Sequence, residues 1–490
     1  MGNTVYEIGD SAFAGCQGLT EITFSENLSG IGAYAFSGCS GLKSVTLPAS
    51  VEGLGVGAFT GCTALTQVLL PELKSIQYGT FSNCTSLRRI VLPNYMRQIE
   101  SAAFFGCTSL SDVSLPSSLT TIDYSAFSGC ASLKQIAIPD GVTELVGAFD
   151  GCSALEAFKV AAGNSTFSSV DGVLYDKEQR VLIKYPEGKK NDTFTIPANV
   201  TEMEDYSWNC PYLTEINVAA GNRAYSSLDG VLFNADQTEL IRVPCCKQGV
   251  FEIPQSVRVI QPLSLQNCAE LTELTIPANV PYVGTGYNLF TGCSSLTAIN
   301  VAAENEAYSS LDGVLFNKAQ SELFYCPEGK AGVYTIPANV EYFSESAFDA
   351  CALLTGINVV PENENFSSID GVLFNKAQTR LIRFPRGKQG DYVIPQSVTS
   401  LYSSFQNCSK LTSVTIPNGV QSLESFTFGG CPALKSVTIP ASVTHFNPFV
   451  FGGNGVCEEV QEGFILYGVP GSAAQSMAEN YGFCFVPISE

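Results

Sequence analysis

AFSGCSGLKSVTLPASVEGL, residues 35–54, is the stretch on which the reading of the fold turns. Ala35 and Phe36 lead to Cys39, Leu42 follows three residues later, and apolar residues then fall at Val45, Leu47, Val51 and Leu54. Val45 and Leu47 alternate around polar Thr46, which fits a short strand with one buried face. Pro48 closes that run, because proline has no N–H to give to a central ladder.

The same pattern recurs in phase along the chain. C-x-x-L is found at Cys16, Cys39, Cys62, Cys84, Cys107, Cys130, Cys152, Cys210, Cys268, Cys293, Cys351, Cys408 and Cys431. Successive gaps are 22 to 25 residues, except for four of 57 or 58 that each hold one ordinary repeat and an insertion of about 35. A fixed period of this size predicts a stacked solenoid, in which each coil exposes apolar edges that only its neighbours can bury. About fourteen coils are expected.

The pattern AFxGCxxLxxVxIPxxVxxI resembles the leucine-rich repeats of the BspA-like family, surface proteins of anaerobic bacteria and some mucosal protozoa. It runs over nearly the whole chain. The resemblance implies a leucine-rich repeat solenoid of the right-handed α/β-horseshoe class, mostly β with little helix, and a parallel sheet on the concave face. It also implies attachment to extracellular host proteins or other cells as the family's role. Four segments of one continuous solenoid are expected. Residues 1–154 and 406–456 hold plain repeats, 155–405 hold repeats with four hairpin insertions, and 457–490 form a cap. In the cap Ser472 suits a helix N-cap, Ala473 onward favours helix, Gly482 suits the stop, and FCFVPI reads as a last strand.

Composition narrows the function. The 490 residues carry 25 Lys and Arg against 46 Asp and Glu, a net charge of −21. That balance disfavours nucleic acid and anionic membrane, which attract clustered cations. No run approaches the roughly 20 apolar residues of a membrane span, and the first residues lack the pattern of a signal peptide. The start is read as a trimmed one, its first coil once covered by a preceding segment, and the expected location is extracellular or at the cell surface.

Eighteen cysteines invite a disulfide or metal reading. The thirteen in phase are expected to stack as a column of inward, free, structural thiols, since side chains of one orientation do not converge as a disulfide needs. C-x-x-C is absent and His445 is the only histidine, so no metal or cofactor is expected. Cys326 takes the place of Tyr185 and Phe384 in its repeat and is expected to be buried. Cys245 and Cys246 replace the Glu187-Gly188 turn pair and are expected to be exposed, as free thiols in preference to a strained vicinal disulfide.

The four insertions match one another at Asn164, Asn222, Asn305 and Asn363, each followed three residues on by an aromatic: Phe167, Tyr225, Tyr308 or Phe366. Asp-Gly then occurs at 171, 229, 312 and 370, read as a turn and not a calcium loop, because one carboxylate per unit does not make a cage. Two apolar runs separated by four or five polar residues follow, read as a β-hairpin projecting from one edge of the solenoid. The recurrent basic positions of the acidic chain lie here. Lys184, Arg242 and Arg383, with Tyr325 in the third copy, occupy the second run; Lys189, Lys247, Lys330 and Lys388 follow the next turn. They are read either as solvated turn residues or as a ridge that binds a partner. A three-coil block with two insertions is duplicated, which suits multivalent contact.

Catalysis would rest on His445 alone for any Ser-His or Cys-His chemistry, and no carboxylate recurs at a strand position. The expected concave column (Thr46, Leu69, Val91, Ser114 and Ala137 among others) is small and lacks aromatics. A non-catalytic interaction or adhesion protein is therefore expected, its partners extracellular host or cell-surface proteins. The alternatives are a glycan- or cell-wall-binding module, which would need Phe167, Tyr225, Tyr308 and Phe366 to line a groove, or a rigid spacer.

Overall fold

The structure, a computed structural model, describes residues 2, 4–204, 208–283, 289–344, 346–447, 449–452 and 463–489. It divides into two units, one of Met1–Asp236 with Pro244–Cys246 and one of Gln237–Val243 with Lys247–Glu490. Each is a mostly β solenoid of parallel stacked coils.

In the first unit the expected strand is Ser44–Thr46, with Val45 buried and Ser44 and Thr46 outward. It pairs in parallel and in register with Gln67–Leu69, so that Val45 lies beside Val68. Arg89–Val91 and Asp112–Ser114 pair likewise, as do Gln135–Ile138 and Ala157–Val160. A second ladder, not anticipated from the sequence, is made of two-residue strands. Gly30–Ile31 and Gly53–Leu54 pair in one, and Ser75–Ile76, Gln98–Ile99, Thr121–Ile122 and Glu144–Leu145 in another. Period-2 patterning is invisible over two residues, so only the buried Ile or Leu of each announced it.

Between the ladders runs the turn that carries phenylalanine and cysteine. Phe13, Phe36, Phe59, Phe81, Phe104, Phe127 and Phe149 form one stack with centroids 5.1 to 5.6 Å apart and planes within 11°. This spacing follows from the hydrogen bonds that step from coil to coil beneath the rings. Phe36 N–H donates to Ala58 O at 2.8 Å, Phe81 to Ala103 O at 2.9 Å and Phe104 to Ala126 O at 2.8 Å. The chain then reverses through a left-handed residue before each cysteine. Gly38, Gly61, Gly106, Gly129 and Gly151 have φ of 69 to 76°, and Asn83 takes the same conformation, as asparagine can.

The cysteines finish this turn. Each thiol donates to the carbonyl of the stacked phenylalanine in the preceding coil: Cys62 to Phe36 at 3.2 Å, Cys107 to Phe81 at 3.1 Å and Cys130 to Phe104 at 3.3 Å. That carbonyl also accepts the backbone N–H three residues on, as Phe81 O does from Cys84 at 3.2 Å. A carbonyl has two lone pairs, and both are used inside the core. The other members of the column are buried, but Cys16, in the first coil, is exposed. Among the described residues every cysteine is unbridged, and no cluster of three His, Cys, Asp or Glu is placed to hold a metal ion. Among the described residues no helix is long and apolar enough to cross a membrane.

The second unit repeats the scheme. Phe384, Phe405, Phe428 and Phe451 follow one another at 5.2 to 5.7 Å, the first pair tilted by 38° and the other two stacked. Its long-strand ladder continues through Leu411–Thr415 and Ser436–Ile439 to Ile465–Gly468 and finally Cys484–Pro487. The helix Ala473–Tyr481 packs Ala474, Met477 and Ala478 into the end of the core and stops at left-handed Gly482, as expected. Ser472 precedes it, but its hydroxyl makes no cap hydrogen bond. Of the expected cap and the repeat before it, residues 453–462 lie outside the described residues.

Two consequences follow for stability. Phe104→Ala removes one ring from the middle of a stack and is expected to cost about 3–5 kcal/mol in urea unfolding of the full chain. Burial also pushes the thiols of Cys62, Cys107 and Cys152 up to about 12 from the usual 9.0, because no water reaches the thiolate. Above pH 9 the unfolded chain loses protons that the native chain keeps. This stabilisation is therefore complete below pH 9 and is lost as the pH rises toward 12, which unfolding midpoints measured across that range will follow.

Candidate interaction surfaces and the inserted coils

Each insertion begins at its asparagine. Asn164 Nδ2 donates to Pro139 O and Val142 O at 2.7 and 2.9 Å, while its Oδ1 accepts the N–H groups of Thr166 and Phe167 at 2.9 and 2.7 Å. Asn222, Asn305 and Asn363 do the same in their repeats. The side chain thus replaces a backbone rung and turns the chain out of the long-strand ladder.

A strand follows, Phe167–Val170, and pairs antiparallel with Val173–Asp176. Between them stands the Asp-Gly turn. Asp171 and Gly172 both have positive φ, 49° and 78°, the type I′ geometry whose twist matches a tight hairpin. The hairpin does not project, as was expected; it folds back on its own coil. Phe158 N–H donates to Gly172 O at 2.9 Å and Val160 N–H to Ser169 Oγ at 3.1 Å. A side chain on Gly172 would stand 2.8 Å from the Ala157 methyl, so only glycine fits there. The reason is plain in the sequence once seen: the strand VLY is apolar on both faces, and a projecting hairpin would leave one of them in water. Val173, Leu174 and Tyr175 are all buried.

The third strand, Val181–Lys184, leaves the hairpin and pairs in parallel with Glu202–Met203, as a member of the short-strand ladder. Glu239–Arg242, Glu322–Tyr325 and Arg380–Arg383 do likewise with the short strands that follow them. After them Val243, Cys326 and Phe384 occupy the stacked-phenylalanine position. Their N–H groups donate to the next coil at 2.8 to 2.9 Å, and their carbonyls accept the thiols of Cys268, Cys351 and Cys408. Each insertion is therefore a coil in its own right, and the expected fourteen coils omit these.

Seven of the eight positions singled out from the sequence serve this construction. Lys184 is buried and ion-paired to Asp150 at 2.5 Å and Glu187 at 3.3 Å. Arg242 is buried and donates to Leu263 O and Gln266 O at 2.5 and 3.2 Å. Arg383 pairs with Asp349 at 2.5 Å, and the Tyr325 hydroxyl donates to Phe290 O at 3.3 Å. Lys189, Lys330 and Lys388, all half-buried, donate to the carbonyls of Asp171, Asp312 and Asp370 and so hold the Asp-Gly turn from its other side. Lys247 is half-buried as well. Lys184, Arg242, Arg383, Lys189, Lys330 and Lys388 are occupied within the coils.

Cys326 is buried as expected. Cys245, expected to be exposed, is only 4% exposed, and Cys246 is half-buried with its thiol on Pro211 O at 2.9 Å; both are free. They are drawn in because this turn lies against the preceding coil, where Cys246 N–H donates to Leu213 O at 3.0 Å. Phe167 and Tyr308 are buried and Tyr225 and Phe366 half-buried, so the insertion aromatics do not line a groove. His445 is exposed, its Nδ1 2.8 Å from the Thr444 hydroxyl.

The exposed aromatics lie elsewhere. Tyr78 and Tyr124 stand three residues before their stacked phenylalanines and are 53% and 51% exposed, and Val146, one coil further, is 61% exposed. Tyr34 lies one residue later in its coil with its ring over Gly57, and the Tyr124 ring lies over Gly147. Leu69 and Val91 are exposed on the long-strand face beside the Arg89–Asp112 ion pair of 3.1 Å. The search for aromatics along the long strands alone missed the tyrosines; the signal was an aromatic recurring at one repeat position.

The asparagine has a sharp test. Asn363→Asp keeps the shape but replaces two donors by a charge facing the carbonyls of Pro337 and Val340. It is expected to cost more than about 2 kcal/mol at pH 7 and less at pH 3, where the carboxyl is protonated, by chemical unfolding at both values.

A model of the BspA type leucine-rich repeat region matches residues 1–89, 74–170, 241–379 and 388–461. Among solved structures, a leucine-rich cell surface protein of Faecalibacterium prausnitzii is 20% identical, with 97% of this chain and 85% of that one covered at a TM-score of 0.32. A leucine-rich repeat protein of Bacteroides ovatus is also 20% identical, with 90% and 88% covered at 0.32. The pneumococcal vaccine antigen PcpA is 16% identical, with 91% and 89% covered at 0.29. No curated protein matches the chain. With more than half of its residues matched by the family model, the chain belongs to the BspA-type leucine-rich repeat family.

Proposed function

We propose that this chain is a non-catalytic interaction protein of the cell surface or extracellular space, which binds protein partners through side chains repeated along its coils. The observation that carries the reading is the row of Tyr78, Tyr124 and Val146, exposed at one repeat position. Tyrosine gives a large contact area for little ordering entropy and is enriched among residues that dominate protein interfaces. Coils two apart set such rings roughly 10 Å from each other, twice the strand spacing, which suits several weak contacts made at once. Family membership supports the same reading, since repeat proteins of this type typically act by binding.

The test is surface plasmon resonance of the full chain against a panel of soluble extracellular-matrix proteins, beside a glycan array. Binding to a matrix protein is expected. The triple variant Tyr78→Ser, Tyr124→Ser, Val146→Ser is expected to lose at least about tenfold in affinity with an unchanged melting temperature. Binding to glycans alone, or to neither panel, would overturn the reading.

A further inference from the structure

The second unit holds a cavity of about 320 Å³, partly open to solvent. Its size is at the lower end of small-molecule sites. Val283, Leu289, Phe290, Leu315, Phe324 and Tyr325 supply its apolar wall. Glu328, Asp349 and Arg386 stand among its lining residues with Ser344 and Ser346.

At this cavity the charge pattern departs from the repeat in two coils. In the first inserted coil Lys184 neutralises Glu187, whose Oε1 accepts the Gly151 N–H at 2.9 Å. In the third, Glu328 accepts the Gly292 N–H in the same way at 3.0 Å, but tyrosine replaces the lysine. In the fourth, Arg386 stands where the glutamate was, and it is Arg383 that takes Asp349. Arg386 is left over. It is half-buried, its Nε is buried without a hydrogen-bond partner, and among the described residues no ion pair or hydrogen bond holds its guanidinium. Desolvation, with Arg383 nearby, holds Arg386 below the usual arginine value, and desolvation pushes Glu328 up. Opposite charges offset part of each shift, Arg386 acting on Glu328 and Asp349 on Arg386.

We infer that this cavity binds a small amphipathic carboxylate, its apolar body against Phe290, Leu315, Phe324 and Tyr325 and its acid group on Arg386. A guanidinium matches a carboxylate with two parallel hydrogen bonds and gains most where water is scarce. Arg383 lies outside the lining but pairs with Asp349, which leaves Arg386 and Glu328 as the charged lining residues not taken up by that pair. A monoanion adds one negative charge beside Glu328 and a phosphate dianion two, so the monoanion is the better fit. The site does not depend on the exposed tyrosines and stands apart from the interaction function proposed above.

The probe is 3-phenylpropionate, with 3-phenylpropionamide as its neutral twin, titrated into the full chain by calorimetry and ligand-observed NMR. The acid is expected to bind at least about tenfold tighter than the amide, the value of one charge-assisted hydrogen-bond pair. Arg386→Met is expected to abolish the preference for the acid. Ser344→Phe, which fills the cavity and leaves the arginine, is expected to abolish binding of both, with circular dichroism and melting temperature confirming that each variant is folded. Failure of the acid to bind, equal binding of acid and amide, or an unchanged preference in Arg386→Met would overturn the assignment.

Discussion

One carbonyl per coil governs this molecule. The oxygen of the stacked phenylalanine accepts a backbone N–H from its own turn and a thiol from the next coil, as Phe81 O does from Cys84 N–H and the Cys107 thiol. Neither bond is strong alone, and a buried thiol is a weak donor. Their importance lies in what they prevent: the turn is dry, and an orphaned carbonyl there would recur at every level. The ring above each carbonyl then has a single place to lie, on the ring before it. Stack, turn and thiol column are three aspects of one repeated constraint.

The insertions show how that constraint survives thirty-five extra residues. An asparagine side chain completes the last rung, a type I′ turn reverses the chain, and a lysine from beyond the coil holds the turn in place. The final strand then re-enters the short ladder and delivers Val243, Cys326 or Phe384 to the stacking position. Recurrent charges are used as ties in this scheme. Where a tie is substituted, as by Tyr325, a partner charge is left over, and a cavity lies at that level.

Most of the fold was legible because the signal repeats. Thirteen cysteines in phase, the alternation around Thr46 and the glycine or asparagine before twelve of those cysteines all have the same cause. The short ladder was not legible, since two residues carry no period. The direction of the hairpins was misjudged because Asp-Gly fixes the turn but says nothing of where it points; the doubly apolar VLY and VLF strands held that information. Cys245 was misplaced for a related reason, since a turn that packs against a neighbouring coil is not a surface turn. Of the interaction surface, the exposed tyrosines could have been found from their repeat position. The cavity could not, because it depends on a missing cation in one coil and an extra one in the next.

Cysteine-resolved alkylation of the native chain, read by mass spectrometry, tests the stacking account most directly. Cys16 and Cys484, both exposed, are expected to react at once, while the buried column from Cys39 to Cys431 reacts only as fast as the chain unfolds. Column thiols that alkylate together with the exposed ones, or that are recovered as disulfides, would contradict it.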